Sequence, residues 1–251
     1  MKKILVLNSG SSSLKYQLFG VDGDKYEVIA KGLADRIGID NSFVTIKIRD
    51  GEKVTKNVDI PSHQEAIREV FALLLNGALS SMGELAGVGH RVVQGGSIFK
   101  KSTLVDDKVI EQIDELSTLA PLHNPAAVLG LKAVKALLPD IKQVVVFDTA
   151  FHQTMPKRNY IYAVPYNWYT DYGVRRYGFH GTSHKYITEV MKKKLLKDDV
   201  NLIICHVGSG ASISCIKDGL CYDTSMGLTP LDGLIMGTRC GEIDPSIIKY
   251  V

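Results

Sequence analysis

The chain has 251 residues, 45% hydrophobic and 23% charged, a balance that suits a globular protein of one large or two modest domains. A net charge of +3 is too small to point to nucleic acid or a membrane surface, and no apolar run approaches the roughly 20 residues of a membrane span. Lys2 and Lys3 precede only a short apolar run, too little for a secretory signal, and the four cysteines show no CxxC spacing, so buried reduced thiols and a cytoplasmic location are expected.

Ile4–Leu7 and Leu14–Phe19 are short runs of β-formers separated by Asn8–Ser13, which is too small and polar to pack a core. Two such runs joined by Gly and Ser predict a β-hairpin. Its turn can aim backbone N–H groups and hydroxyls at one point, a cradle for an anion, and Lys15 adds a positive charge. A lone turn of this kind is equally an ordinary polar loop. Residues 25–60 alternate apolar and polar and predict antiparallel strands. Ser62–Glu65 reads as a capping box opening a helix through Leu75, which Gly77 can end. Val88–Val93 predicts a strand stopped by Gly95 and Gly96, and Asp107–Leu116 is amphipathic. Asn124 is expected to cap a helix with Pro125 at its first position, running to Leu138 before Pro139. Gln143–Phe147 predicts a buried strand ending on Asp148. This mixture of strands and helices predicts an α/β fold.

Phe151–Arg176 holds Pro156, Pro165 and five of the eleven tyrosines, with little periodicity, and reads as a linker into a second domain. The expected domains are 1–150 and 151–251. Ser183 is expected to cap a helix through Leu196, with Lys192–Lys194 on its solvated face. Leu202–Ile216 then repeats the opening plan of apolar strand, Gly/Ser turn and apolar strand, and Asp218-Gly219 turns into Leu220–Tyr222. An internal duplication of this unit suggests two related domains facing one ligand, and a nucleotide polyphosphate suits two phosphate-gripping hairpins. There is no GxxxxGK[ST], and Gly208–Ile213 fails the dinucleotide GxGxxG at its last position. Met226–Pro245 is dense in Gly and Pro, a loop suited to close approach. Ile247–Val251 is an apolar run without a cap or polar tail and reads as an interruption of the second domain.

Charged residues stand at the ends of apolar runs, where a sheet delivers side chains to a crevice. Arg91 lies in one strand, Asp148 closes another, and Arg239 sits in the Gly-rich loop. Two guanidinium groups can grip a carboxylate or a transferring phosphoryl group, although each is also at home in a structural ion pair. Asp148 is equally placed to be a helix cap. His180 and His184 have the i, i+4 spacing of a metal pair but lack an HExxH glutamate or a third ligand, so His180, beside glycine, is better placed as a donor in a tight site. His123 reads as a structural histidine. No Gly-x-Ser-x-Gly or Cys-His nucleophile stands out.

The stretches ILVLNSGSSSLKYQLF (4–19), GHRVVQGG (89–96), APLHNP (120–125), VFDTAFHQTMP (146–156), RRYGFHGTSHKY (175–186), HVGSGAS (206–212) and MGLTPLDGLIMGTRCGEIDP (226–245) together closely resemble the acetate kinase family. The resemblance runs the length of the chain, and propionate and butyrate kinases share part of the pattern. It implies an actin-like, sugar-kinase-like ATPase fold of two duplicated α/β domains, the second incomplete. It further implies Asn8 as a ligand of Mg²⁺ (or Mn²⁺), and Ser11, Ser13, Lys15, His206, Val207, Gly208, Ser209 and Gly210 at the ATP phosphates. Arg91 would bind the carboxylate, Asp148 would be the active-site carboxylate, and His180 and Arg239 would stabilise the moving phosphoryl group. Val93, Leu122, Phe179 and Pro230 would line the pocket for the acetate methyl. Gln94 stands where the family pattern has histidine, and Ser209 where it has asparagine. The family's chain is longer, and its further part carries the adenosine pocket, a Mg²⁺-holding glutamate and a final helix that packs on the first domain.

The implied reaction is reversible phosphoryl transfer from ATP to acetate, giving acetyl phosphate and ADP, by a homodimer in the complete chain. A carboxylate is already ionised at neutral pH, so Asp148 is better suited to orienting than to removing a proton. The competing readings are propionate or butyrate kinase activity, or a weakly active or inactive fragment of the same fold.

Overall fold

The computed structural model describes all residues 1–251, which divide into two compact units: Met1–Val92 with Ser102–Val146, and Val93–Lys101 with Phe147–Val251. The expected α/β class is observed in both. In the first unit, β1 (Lys2–Ser9) and β2 (Ser13–Asp22) form the opening hairpin, and β3 (Lys25–Asp35), β4 (Phe43–Ile48) and β5 (Lys53–Asn57) extend it antiparallel. On its other side β6 (Leu85–Val92) runs parallel to β1. The edge strand β7 (Thr103–Leu104) pairs antiparallel with β8 (Gln143–Phe147), so the sheet reads β5-β4-β3-β2-β1-β6-β8-β7.

Alternation along these strands buries Leu5 and Leu7 of β1, Leu14, Tyr16 and Leu18 of β2, and Val44 and Ile46 of β4. Onto them pack Ala66, Ile67, Val70, Phe71 and Leu74 of α1 (His63–Leu75) and Ala133 and Val134 of α3 (Asn124–Leu137), which α2 (Asp107–Glu115) flanks. Each large aliphatic side chain so buried contributes about 1.5–3 kcal/mol relative to exposure.

Two helix starts of the first unit differ from expectation. Ser62 caps α1 by accepting from Glu65 N at 3.2 Å, but the Glu65 carboxylate turns to Arg68 at 3.1 Å, so the capping box is half formed. In α3 the cap position falls on His123 and Asn124 is already helical. Asn124 is fully buried, and its amide donates to Ile113 O of α2 at 3.3 Å, so the side chain joins two helices instead of capping its own.

The second unit holds the antiparallel strands β9 (Leu202–Val207), β10 (Ala211–Lys217) and β11 (Leu220–Thr224), with β10 central. The stretch expected to be a linker is structured. After a 3₁₀ turn at Ala150–Thr154 come α4 (Lys157–Tyr160) and α5 (Tyr166–Tyr172). Thr154 Oγ1 donates to Cys221 O at 2.7 Å and Asn159 Nδ2 to Tyr222 O at 2.8 Å, tying this stretch to β11. The buried Arg175 guanidinium lies 3.6 Å from the Tyr160 ring centroid, a desolvated cation–π contact. Tyrosine packing and side-chain bonds to strand carbonyls hold this segment, and neither leaves a periodic signature.

The next helix, α6 (Gly181–Leu195), packs beside β9 and starts two residues before the expected cap Ser183. His180, in the left-handed region at φ 59°, holds the cap position, and Ser183 spends its hydroxyl on His206 Nδ1 at 2.9 Å. The small core joins Met155, Ile204, Ile216 and Cys221. Cys221 is buried as expected, but Cys205 and Cys240 are exposed. Cys205 follows buried Ile204 on β9, and strand alternation turns it outward. A short helix, α7 (Ser246–Tyr250), follows the Gly-rich loop. No helix is long and apolar enough to cross a membrane.

Candidate active site

In the first unit the candidate groups gather where β1 and β6 end side by side. Parallel pairing sets Leu7 opposite His90, so the next residues, Asn8 and Arg91, are neighbours, and Arg91 Nη1 donates to Asn8 Oδ1 at 3.3 Å. Across the hairpin Asn8 pairs with Lys15, which is exposed. The turn between them is anchored through its carbonyls. Gly10 O faces His63 Nε2 at 2.8 Å, Ser12 O accepts from Ile37 N at 2.9 Å, and Ser13 O accepts from Gly10 N at 2.7 Å. With the Gly10, Ser12 and Ser13 carbonyls engaged and Gly10 N–H spent within the turn, the hydroxyls of exposed Ser11 and half-buried Ser13 are donors matched to phosphate oxygens. Leu122 is 75% exposed in the turn before α3.

The second unit builds its site on the matching hairpin. Both loops are three residues long, 10–12 and 208–210. Gly208 N donates to Gly210 O at 3.1 Å, and Val207 and Ser209 are exposed at the tip. His180 and Arg239 converge on this loop. A Cβ placed on Gly210 would lie 3.2 Å from His180 Nε2 and 3.5 Å from Arg239 Nη1. The His180 ring stacks on His206 with centroids 4.1 Å apart and an interplanar angle of 24°. Arg239 is held by Pro230 O at 3.3 Å and Met236 Sδ at 3.5 Å. A histidine and a guanidinium beside a Gly-rich loop form a cluster of donors suited to negative charge.

Asp148 is 2% exposed, and its main-chain oxygen accepts from Gly181 N at 2.8 Å, joining the end of β8 to the start of α6. A Cβ on Gly181 would come within 2.2 Å of that oxygen. Gly181→Ala is therefore expected to lower stability by about 1–3 kcal/mol, because a backbone atom must move. A denaturant midpoint unchanged from wild type would show that the junction yields freely.

Phe179 is buried, and Phe179 O faces His152 Nε2 at 3.0 Å, so that nitrogen carries the hydrogen. His152 Nδ1, 3.1 Å from Cys221 Sγ, is then the acceptor for the thiol. Burial holds His152 neutral by lowering its pKa to about 4, and the same cause lowers His184 to about 3 and His90 of the first unit to about 4. The unfolded chain takes up these protons near pH 6.5, while the folded chain resists until about pH 4 or below. Between those limits the unfolded state binds more protons, so stability falls as pH drops from 6.5 toward 4 and is regained as pH rises. Melting temperature followed over that range checks this, and a flat profile would contradict it.

Three comparisons bear on what these groups serve. The model of the acetokinase family matches residues 3–251. The chain belongs to the acetokinase family. It is similar to the acetate kinase of Halothermothrix orenii, 56% identical over 99% of this chain and 63% of that protein, and to that of Helicobacter hepaticus, 53% identical with the same coverage. Among solved structures, Porphyromonas gingivalis acetate kinase superposes with a TM-score of 0.94 at 44% identity, covering 100% of this chain and 63% of that one. A propionate kinase from Francisella tularensis gives 0.92 at 43% identity, covering 100% and 64%. The chain thus spans a little under two thirds of the length of these relatives.

The two departures from the family pattern have plain surroundings. Gln94 is fully buried, and its Oε1 accepts from Gly96 N at 2.9 Å, closing the turn after β6 from within. Ser209 is an exposed loop-tip residue. Val93 is half-buried in the segment that joins the second unit. The contacts of His63 with Gly10 O, of Ser183 with His206 and of Ser212 with His180 and His184 were not readable in the sequence, because each partner lies far along the chain.

Proposed function

We propose that this chain carries the phosphoryl-transfer groups of an ATP-dependent acetate kinase, working reversibly to give acetyl phosphate and ADP. The observation that supports the reading most is the convergence of His180 and Arg239 on the 208–210 loop, in a chain of the acetokinase family. Phosphoryl transfer asks the protein for positioning and charge neutralisation rather than covalent help. An acetate oxygen forms the new bond to the γ-phosphorus while the bond to the β,γ-bridging oxygen breaks, and the leaving pair stays on ADP. In this reading Arg91 holds the acetate carboxylate. His180 and Arg239 donate to the equatorial oxygens of the moving group, where negative charge is spread. Lys15, Ser11 and Ser13 on one hairpin and His206–Gly210 on the other hold phosphates. Asp148 orients, since the acceptor needs no base. Val93, Leu122, Phe179 and Pro230 are proposed neighbours of the acetate methyl.

For the metal, Asn8 offers one neutral oxygen, which already accepts from Arg91, so a Mg²⁺ or Mn²⁺ would rest mainly on phosphate oxygens and its own waters. Asn8 would hold it through Oδ1, and the bound ion would neutralise phosphate charge. A cytoplasmic homodimer belongs to the same reading.

Trapping the product as acetyl hydroxamate, with ATP, Mg²⁺ and acetate, tests the activity. Acetate-dependent hydroxamate at a rate equal to ADP release supports it, and ADP release without hydroxamate would overturn it.

A further inference from the structure

We infer that Ser212 and His184 set the tautomer of His180, so that its hydrogen stands on Nε2, the nitrogen beside the 208–210 loop. The inference names positioning residues for the site proposed above, and its functional consequence rests on that reading.

Ser212 is fully buried on β10, and its hydroxyl oxygen meets two imidazoles at once. His180 Nδ1 lies 2.9 Å away and His184 Nε2 2.8 Å away. The two rings come from one turn at the start of α6, so the i, i+4 spacing that resembled a metal pair closes on a hydroxyl. One hydroxyl has one hydrogen to give. The oxygen could accept from both rings, but the buried hydroxyl's own hydrogen would then have no acceptor, because Oγ meets no third group, so two arrangements compete. Either His184 Nε2–H donates to Ser212 and Ser212 donates to His180 Nδ1, or the chain runs the other way.

The surroundings of His184 decide between them. Its ring is fully buried, and Nδ1 has no hydrogen-bond partner. Burial keeps the ring neutral, so it carries a single hydrogen at ordinary pH. Running the chain toward His184 would place that hydrogen on Nδ1, an N–H stranded in the interior. Running it away leaves only an unused lone pair there, which native interiors tolerate better. The bond order is therefore His184 Nε2–H to Ser212 Oγ, then Ser212 Oγ–H to His180 Nδ1. In a neutral His180 the hydrogen then lies on Nε2.

For phosphoryl transfer the consequence is direct. A hydrogen on Nε2 makes His180 a donor toward the loop that also receives Arg239, whereas the opposite tautomer would present a lone pair to anionic oxygens. Ser212 and His184 do this without touching substrate. The linear sequence shows His184 only as half of a metal-like pair and Ser212 only as the end of HVGSGAS, and it does not show the bond between them.

Long-range ¹H–¹⁵N correlation spectra of the protein labelled with ¹⁵N-histidine, recorded without nucleotide or acetate, test the inference apart from any activity. The wild type is expected to show His180 with Nε2 protonated and Nδ1 bare, and His184 protonated on Nε2. His180 protonated on Nδ1 would overturn it, whatever the enzyme does. Ser212→Ala is expected to mix the His180 tautomers and lower kcat by about five- to tenfold, the loss of one hydrogen bond, with KM for ATP and acetate little changed. A Ser212→Ala protein with the wild-type tautomer and kcat would also overturn it. Should that variant fail to fold, the wild-type spectrum decides alone.

Discussion

Arg239→Ala is expected to lower kcat by about 10²- to 10³-fold while leaving KM for ATP and acetate within a fewfold of wild type. The guanidinium sits at the 208–210 loop, positioned by Pro230 O and Met236 Sδ, and shares that loop with His180. A donor aimed at charge that develops during transfer is worth about 2.7–4 kcal/mol, which corresponds to that loss of rate. Because the contact strengthens in the transition state, the loss falls on kcat and kcat/KM together. Steady-state kinetics with both substrates varied separates the cases. A rise in KM for acetate at unchanged kcat would move Arg239 from the moving phosphoryl group to ground-state binding.

Arg91→Ala is expected to weaken use of acetate and acetyl phosphate by about ten- to hundredfold, with ATP affinity little altered. Arg91 lies at the end of β6 and donates to Asn8, so one of its nitrogens is already committed within its own unit. A guanidinium suits a planar carboxylate. Removing one charge-assisted contact costs roughly 1.5–3 kcal/mol. Calorimetric titration with ATP alone and kinetics with acetate varied check both halves. Equal losses for ATP and acetate would mean that Arg91 supports the fold of the β1 and β6 ends rather than the acceptor.

Both hairpins were legible in the sequence because their signal is local. Ile4–Leu7 and Leu202–Val207 lead into Gly/Ser turns, and strand alternation followed. The edges of the helices were less legible. Asn124 and Ser183 carry the residue types of N-caps, but both face partners more than ten residues away: Ile113 O for one, His206 for the other. Propensity scores a residue by its neighbours and cannot register that a hydroxyl or amide is already spent elsewhere. The same blindness hid the site's support. His180 stood out beside glycine, but Ser212, which holds its ring, looked like one more serine after a turn. The Phe151–Arg176 stretch was opaque for a related reason. Tyr160 under Arg175, and Asn159 on β11, are contacts of side chains with no period.

The central claim is that His180 and Arg239 act on the phosphoryl group in flight. Binding of a mimic of that state, ADP with Mg²⁺, aluminium fluoride and acetate, measured by calorimetry beside ADP with Mg²⁺ alone, tests it most directly. The wild type is expected to bind the mimic at least about a hundredfold more tightly than ADP, the lower end of what transition-state analogues gain. His180→Ala and Arg239→Ala are expected to lose most of that margin while holding ADP as before. A margin that survives in both variants would contradict the account.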